Sequence, residues 1–122
     1  MKPGKTGLRR LLDATGYSFK GIRACWQNEA AFRQEVALTA VLFPASFFLA
    51  RSVEQWLILI APLFLLLIVE LLNSAVEYAI DRISDEYHEL SGRAKDAASA
   101  AVFFCLVLIA LCWAGIAWSN FR

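Results

Sequence analysis

Residues 69–81 read VELLNSAVEYAID, and the fourteen residues before Glu70, from Trp56 to Val69, are all apolar. Glu70, Glu77 and Asp81 then bring carboxylates, and Asn73 brings an amide. At 100° per residue the three carboxylates fall within about 40° of one another on a helix. Asn73 and Ser74 flank them, while Leu71, Leu72, Val76 and Ile80 point elsewhere. An ionisable group inside an apolar span costs several kcal/mol and is usually functional. Asp81, the last of the three, is read as solvated. A set rich in carboxylates and poor in His and Cys favours Mg²⁺, which takes one or two protein carboxylates and keeps substrate phosphates as ligands. A carboxylate can also act as general base toward a hydroxyl. Phosphoryl transfer from a nucleotide needs these parts plus cations on the phosphates, and Arg93 and Lys95 offer such cations. The chain carries no GxxxxGK[ST], GxGxxG, HRD or DFG, so it resembles neither P-loop enzymes nor protein kinases. A single histidine, His88, argues against a His-based zinc site.

The elements that must position these groups are apolar blocks. The 122 residues suffice for one unit, and a mean hydropathy of +0.53 is wrong for an ordinary soluble domain. Val36 to Ala50 is interrupted only by Thr39, Pro44 and Ser46; Val53 to Val69 has only Glu54 and Gln55. Ala97 to Trp118 spans 22 residues with Ser99 as its one clearly polar side chain. A span needs about 20 apolar residues, which predicts three transmembrane helices near 30–50, 53–83 and 96–119. The fold class is an all-α membrane protein in a single domain over residues 1–122.

Residues 1–28 lack an apolar h-region and a cleavage site, so they do not read as a signal peptide. Leu8, Leu11, Leu12, Phe19, Ile22 and Trp26 recur at helical spacing among Arg9, Arg10, Lys20 and Arg23. That pattern predicts a basic amphipathic surface helix, broken or bent near Gly16 and Gly21. With a cytoplasmic N-terminus, Lys and Arg at 2, 5, 9, 10, 20, 23, 33, 82, 93 and 95 lie inside and only Arg51 and Arg122 outside; the positive-inside rule selects this orientation. Asp81 to Asp96 is then a cytoplasmic loop. Cys25, Cys105 and Cys112 form no CxxC pattern and read as small buried residues.

Depth separates the acids. From a start near Val53 at the outer surface, Glu70 lies roughly 26 Å in, just inside the cytoplasmic boundary of a hydrocarbon core about 30 Å thick. Glu77 lies about 10 Å further on, toward water. A stripe that starts in lipid and ends in water can meet one amphipathic and one soluble substrate.

Three stretches, GYSFKGIRACWQNEAAFRQE (16–35), VELLNSAVEYAIDR (69–82) and DEYHELSGRAKDAASAAV (85–102), resemble the prokaryotic diacylglycerol kinase family, in order and spacing over nearly the whole chain. The resemblance is weakest around residues 42–56. It implies a homotrimer in the bacterial inner membrane that moves the γ-phosphoryl of Mg·ATP onto the hydroxyl of diacylglycerol. Glu70 matches the proton acceptor, and Asn73 a position tied to activity. Glu29 and Glu77 match the holders of the metal ions on ATP. The nucleotide site matches at Arg10, Tyr17, Glu86, Tyr87, His88, Lys95 and Asp96. The lipid site would use Arg10, Ala14, Thr15, Gly16, Tyr17, Ser18 and Phe19, then Arg23, Ala24, Cys25 and Trp26. Ala31, Phe32, Arg33, Gln34, Glu35, Glu70 and Ser99 would complete it. Mg²⁺ is the implied cofactor, and no nucleic-acid partner is expected.

Two other functions stay open on the sequence alone. An undecaprenol kinase would use the same scaffold, although the EYHELSGRAKD wording leans toward the diacylglycerol branch. A small oligomeric transporter with a proton- or cation-binding glutamate would explain Glu70, but not Glu29, Glu77 and the EYHELSGRAKD stretch together.

Overall fold

The structure is a computed structural model that describes residues 6–122. Lys2 and Lys5, which the charge pattern places on the inner side, lie outside the described residues. The chain forms four helices: α1 (Gly7–Asn28), α2 (Ala30–Leu49), α3 (Val53–Ile83) and α4 (Glu89–Phe121). The apolar blocks explain the last three, which are long and apolar enough to cross a membrane. At 1.5 Å per residue α2 measures about 30 Å, and α3 and α4 each exceed 45 Å. Both outlast a hydrocarbon core of about 30 Å.

Two sequence expectations are corrected. No break occurs at Gly16 or Gly21; α1 is continuous over 22 residues. A helical glycine costs only about 1 kcal/mol relative to alanine, which the rest of a helix this long absorbs. The loop expected over residues 81–96 shrinks to 84–88, because α3 runs to Ile83 and α4 already begins at Glu89. Arg93 pairs with Glu89 at 2.6 Å, an i,i+4 pair on that added first turn.

α3 is the central element and touches α1, α2 and α4, with its most extensive packing against α4. The core is a stripe of Leu63, Leu66, Cys105 and Ile109, lined by Leu38, Leu42, Phe43, Val69, Val102 and Trp113. Outward-facing side chains remain apolar, including Phe48, Phe64, Phe104 and Leu111, as lipid-facing surfaces must be. All three cysteines are free, with Cys25 and Cys105 buried.

The end of the bundle remote from the acids is tied by polar groups. Ser52 caps α3 by accepting from the Gln55 amide at 3.1 Å. The Asn120 side chain, 7% exposed, donates to the Leu49 carbonyl at 2.7 Å and pairs with Gln55 in both directions at 3.0 Å. It thereby satisfies one carbonyl that the end of α2 leaves without an intrahelical partner. Trp56 and Trp113 donate their indole N–H to Ser46 Oγ and the Leu59 carbonyl, each at 3.1 Å.

Asn120→Ala strips partners from Leu49 and Gln55 together, so it should cost about 1–3 kcal/mol. Reversible unfolding in detergent micelles measures this; a variant as stable as wild type would disprove the clamp.

Candidate functional site

Glu29 alone separates α1 from α2. It has extended φ/ψ of −121° and 110° and serves as C-cap of one helix and N-cap of the other. Its backbone is held on both sides. The N–H donates to the Cys25 carbonyl at 2.8 Å, and the carbonyl accepts from the Arg33 N–H at 3.3 Å. The Arg33 guanidinium also reaches back to the Trp26 carbonyl at 2.6 Å. These bonds anchor the elbow, so the Glu29 carboxylate projects from a defined point against α3.

On α3 the polar stripe grades from buried to exposed. Glu70 is 2% exposed and Ser74 1%, Asn73 and Glu77 are half-buried, and Asp81 is exposed. Asn73 Nδ2 donates to Glu77 Oε1 at 3.3 Å. The Glu70 carboxyl meets that of Glu35 from α2, with Asn73, Glu77 and Glu29 acting on it as well. Among the described residues, Glu35 Oε2 and Asn73 Oδ1 are buried with no donor. Buried oxygens of this kind are normally satisfied, so both suit a donor from a bound molecule or a neighbouring subunit. Two residues absent from the sequence reading of the site also emerge here. Tyr78 of α3 lines the α1–α3 cleft together with Cys25 of α1. It follows Glu77 within the mixed polar and apolar stretch 70–81, and no sequence signal marks it. Asp81, read as solvated, instead pairs with Lys95 of α4 at 2.8 Å.

Three clefts open along α3, none of them lined by Glu29, Glu35, Glu70, Asn73 or Glu77. A polar one of about 460 Å³ lies at the α3–α4 turn and gathers Asp81, Glu86, Tyr87, His88 and Lys95. Four of the seven residues assigned to the nucleotide by resemblance thus share one space, whose lining does not include Arg10, Tyr17 or Asp96. Tyr87 folds against Gly92, where an added Cβ would stand 3.5 Å from the ring. His88 is the N-cap of α4, its Nδ1 accepting from the Leu90 amide at 3.1 Å. The neutral ring therefore carries its proton on Nε2. An apolar cleft of about 430 Å³ between α1 and α3 is lined by Ser18, Ala24, Cys25, Leu71, Ala75 and Tyr78. A neighbouring groove of about 500 Å³ takes Phe19, Arg23, Trp26 and Phe32 from the proposed lipid set, against Leu67.

Ser18, Ala24 and Cys25 of that set line the α1–α3 cleft, and its remaining members line neither space. Thr15 and Ser18 donate to the Leu11 and Ala14 carbonyls of their own helix, each at 2.9 Å. Tyr17 stacks under the Lys20 ammonium at 5.8 Å. Ala31, Arg33, Gln34 and Ser99 are exposed.

No group of three or more His, Cys, Asp and Glu among the described residues is arranged to hold a metal by itself. The oxygen set still fits Mg²⁺. The charges of Glu29 and Glu77 both act on the Glu70 carboxyl, and Mg²⁺ is commonly held by one or two carboxylates together with phosphates and water.

Three helices long and apolar enough to cross a membrane, with an acidic cluster on α3 and apolar and polar clefts along that helix, are consistent with a small membrane protein. The sequence model of the family described as Prokaryotic diacylglycerol kinase matches residues 16–117. The diacylglycerol kinase of Escherichia coli strain K12 is 46% identical over 121 residues, covering 99% of each chain. That of Pseudomonas aeruginosa is 52% identical over 113 residues, 93% of this chain and 92% of the relative. A diacylglycerol kinase of Helicobacter pylori is 40% identical over 111 residues, 91% and 87% of the two chains. The chain belongs to the prokaryotic diacylglycerol kinase family, and it is a kinase.

The cap separates two roles of His88. His88→Ala should destabilise the first turn of α4 by about 0.5–2 kcal/mol, and His88→Asn, which can still cap, should not. Amide hydrogen exchange at Leu90 reads the difference; equal protection in both variants would reject the capping role.

Proposed function

We propose that the protein transfers the γ-phosphoryl group of Mg·ATP to the free hydroxyl of diacylglycerol, giving phosphatidate. The reaction runs at the cytoplasmic face of the inner membrane, with α1 lying on that face and the N-terminus inside. The observation that carries this reading is the burial of the Glu70 carboxyl beside Glu35, Asn73 and Glu77. The apolar α1–α3 clefts and the polar α3–α4 cleft open along the same helix, α3, that carries this centre. The family membership and the relatives' names support a lipid acceptor.

Each residue has a task in that reaction. The acyl chains occupy the grooves lined by Phe19, Trp26, Phe32 and Leu71, so the glycerol hydroxyl points toward α3. Glu70 Oε takes the hydroxyl proton as the oxygen attacks the γ-phosphorus in line, and ADP leaves toward water. Asn73, bonded to Glu77, holds that carboxylate one helical turn or two from the base. Glu29 and Glu77 would hold Mg²⁺ on the nucleotide. When bound, the ion neutralises the charge that gathers on the phosphate oxygens. Lys95 adds a point charge to the phosphates, exchanging its partner Asp81 for the nucleotide. Glu86, Tyr87 and His88 line the space for the rest of ATP. Arg10, Tyr17, Asp96 and Ser99 complete the sites from outside these clefts. A single chain encloses neither substrate, and a homotrimer closes the site between subunits.

Lipid-dependent ATP turnover in mixed micelles tests the reading, with diacylglycerol and undecaprenol compared side by side. Phosphorylation of the prenol alone would reject the acceptor. Glu70→Gln should lower turnover by about 10²–10⁴-fold, the usual contribution of a general base, while keeping Mg·ATP binding. Loss of nucleotide binding in that variant would contradict the base assignment. Glu77→Gln should raise the Mg²⁺ requirement or remove activity; an unchanged Mg²⁺ dependence would contradict the metal role.

A further inference from the structure

We infer that Asp81 is a specificity-determining residue of the polar cleft: by occupying Lys95 it favours a nucleotide that arrives with its divalent cation over one that arrives without. The inference rests on the kinase reading, with the α3–α4 cleft as the place of the nucleotide. It gives a role to the one carboxylate of the α3 stripe that the family resemblance leaves unassigned.

The lining of the cleft is acidic. Asp81, Asp85 and Glu86 bring three carboxylates to it, and Lys95 brings the single ammonium. Arg93, the other cation near the turn, is paired with Glu89 on its own helix at 2.6 Å and does not line the cleft. Lys95 is itself engaged. Its Nζ donates to Asp81 Oδ1 at 2.8 Å, which ties the second turn of α4 to the last turn of α3. Phosphates seek an ammonium as a point charge, and here that charge already has a partner. A triphosphate entering the cleft meets net negative charge and must take Lys95 from Asp81. Metal-free nucleotide carries its full charge into that field, and like charges repel in proportion to their product. Mg²⁺ cancels two units of the phosphate charge and can share its coordination between phosphate and protein carboxylates. The complexed nucleotide is therefore repelled less. The Lys95 and Asp81 side chains are 43% and 61% exposed, and ion pairs this open hold their partners by no more than about 5-fold. Such a pair disfavours the wrong form of the nucleotide, yet yields to the phosphates of the right one.

Asp81→Asn removes the charge and nearly keeps the shape, and Asp81→Glu keeps the charge. A fluorescent ATP analogue is titrated into the full-length protein in nonionic detergent micelles, once with Mg²⁺ and once with a chelator. The quantity read is the ratio of the two affinities. Asp81→Asn should raise the metal-free affinity by about 5-fold relative to the Mg²⁺-complexed one, so the preference for the complex falls. Asp81→Glu should keep the wild-type preference. The shift should fade in about 1 M salt, where charges are screened beyond about 3 Å, which an effect of packing would not do. Thermal unfolding of the same samples, without metal or nucleotide, should be unchanged. A wild-type preference in Asp81→Asn would overturn the inference and leave the kinase reading standing. A shift that persists in high salt, or that comes with earlier unfolding, would assign Asp81 to packing and overturn it too. Failure of wild type itself to bind the Mg²⁺-complexed analogue would instead remove the kinase reading on which the inference rests.

Discussion

A carboxyl group on a helix that is otherwise apolar must be surrounded by partners, because leaving it against hydrocarbon costs several kcal/mol. Glu70 obeys this constraint by turning inward, to 2% exposure. Much of the bundle follows from that choice. α2 must come close enough for Glu35 to face it, and the polar residues of α3 must share its side of the helix. The lipid-facing surface can then stay apolar, as Phe64, Ile68 and Leu72 show. At this end the helices are packed through polar groups here and, further out, through the Asp81–Lys95 pair of α3 and α4. The Asn120–Gln55 pair plays the matching part at the other.

Helix length supplies the second dimension. α3 and α4 are each about 15 Å or more longer than the hydrocarbon core is thick. On the proposed orientation the surplus emerges on the inner side, where the Ser84–His88 turn joins the two ends. On that reading Glu77, Asp81 and Lys95 lie on this emergent part, so the groups proposed for the nucleotide stand in water while the proposed base, Glu70, stays within the bundle. On the proposed reading α3 serves both substrates, the lipid along its apolar length and the nucleotide at its polar tip.

The apolar blocks made α2 and α3 legible in the sequence, with Val53 marked by the Ser52 cap just before it. The stripe of Glu70, Asn73 and Glu77 was legible too, since a helix repeats by a rule that spacing alone exposes. Residues 89–95 were not legible as helix. ELSGRAK has no apolar periodicity, and its start is capped by a histidine rather than the usual Ser, Asp or Asn. Gly16 and Gly21 misled in the opposite sense, because local propensity is a weak guide within a helix of 22 residues. The Glu35–Glu70 contact joins residues on different helices and has no signature within any one segment.

The elbow at Glu29 carries an evolutionary consequence. Two helices that share one intervening residue have no slack between them. Adding or deleting a residue in α1 or α2 next to Glu29 would swing one helix by about 100° around the other and carry the carboxylate off α3. The joint should therefore be frozen in length across natural variation, with insertions and deletions in this lineage falling at the Ala50–Ser52 turn or at the chain ends instead. The shortest connection in the molecule is in this sense its least negotiable one.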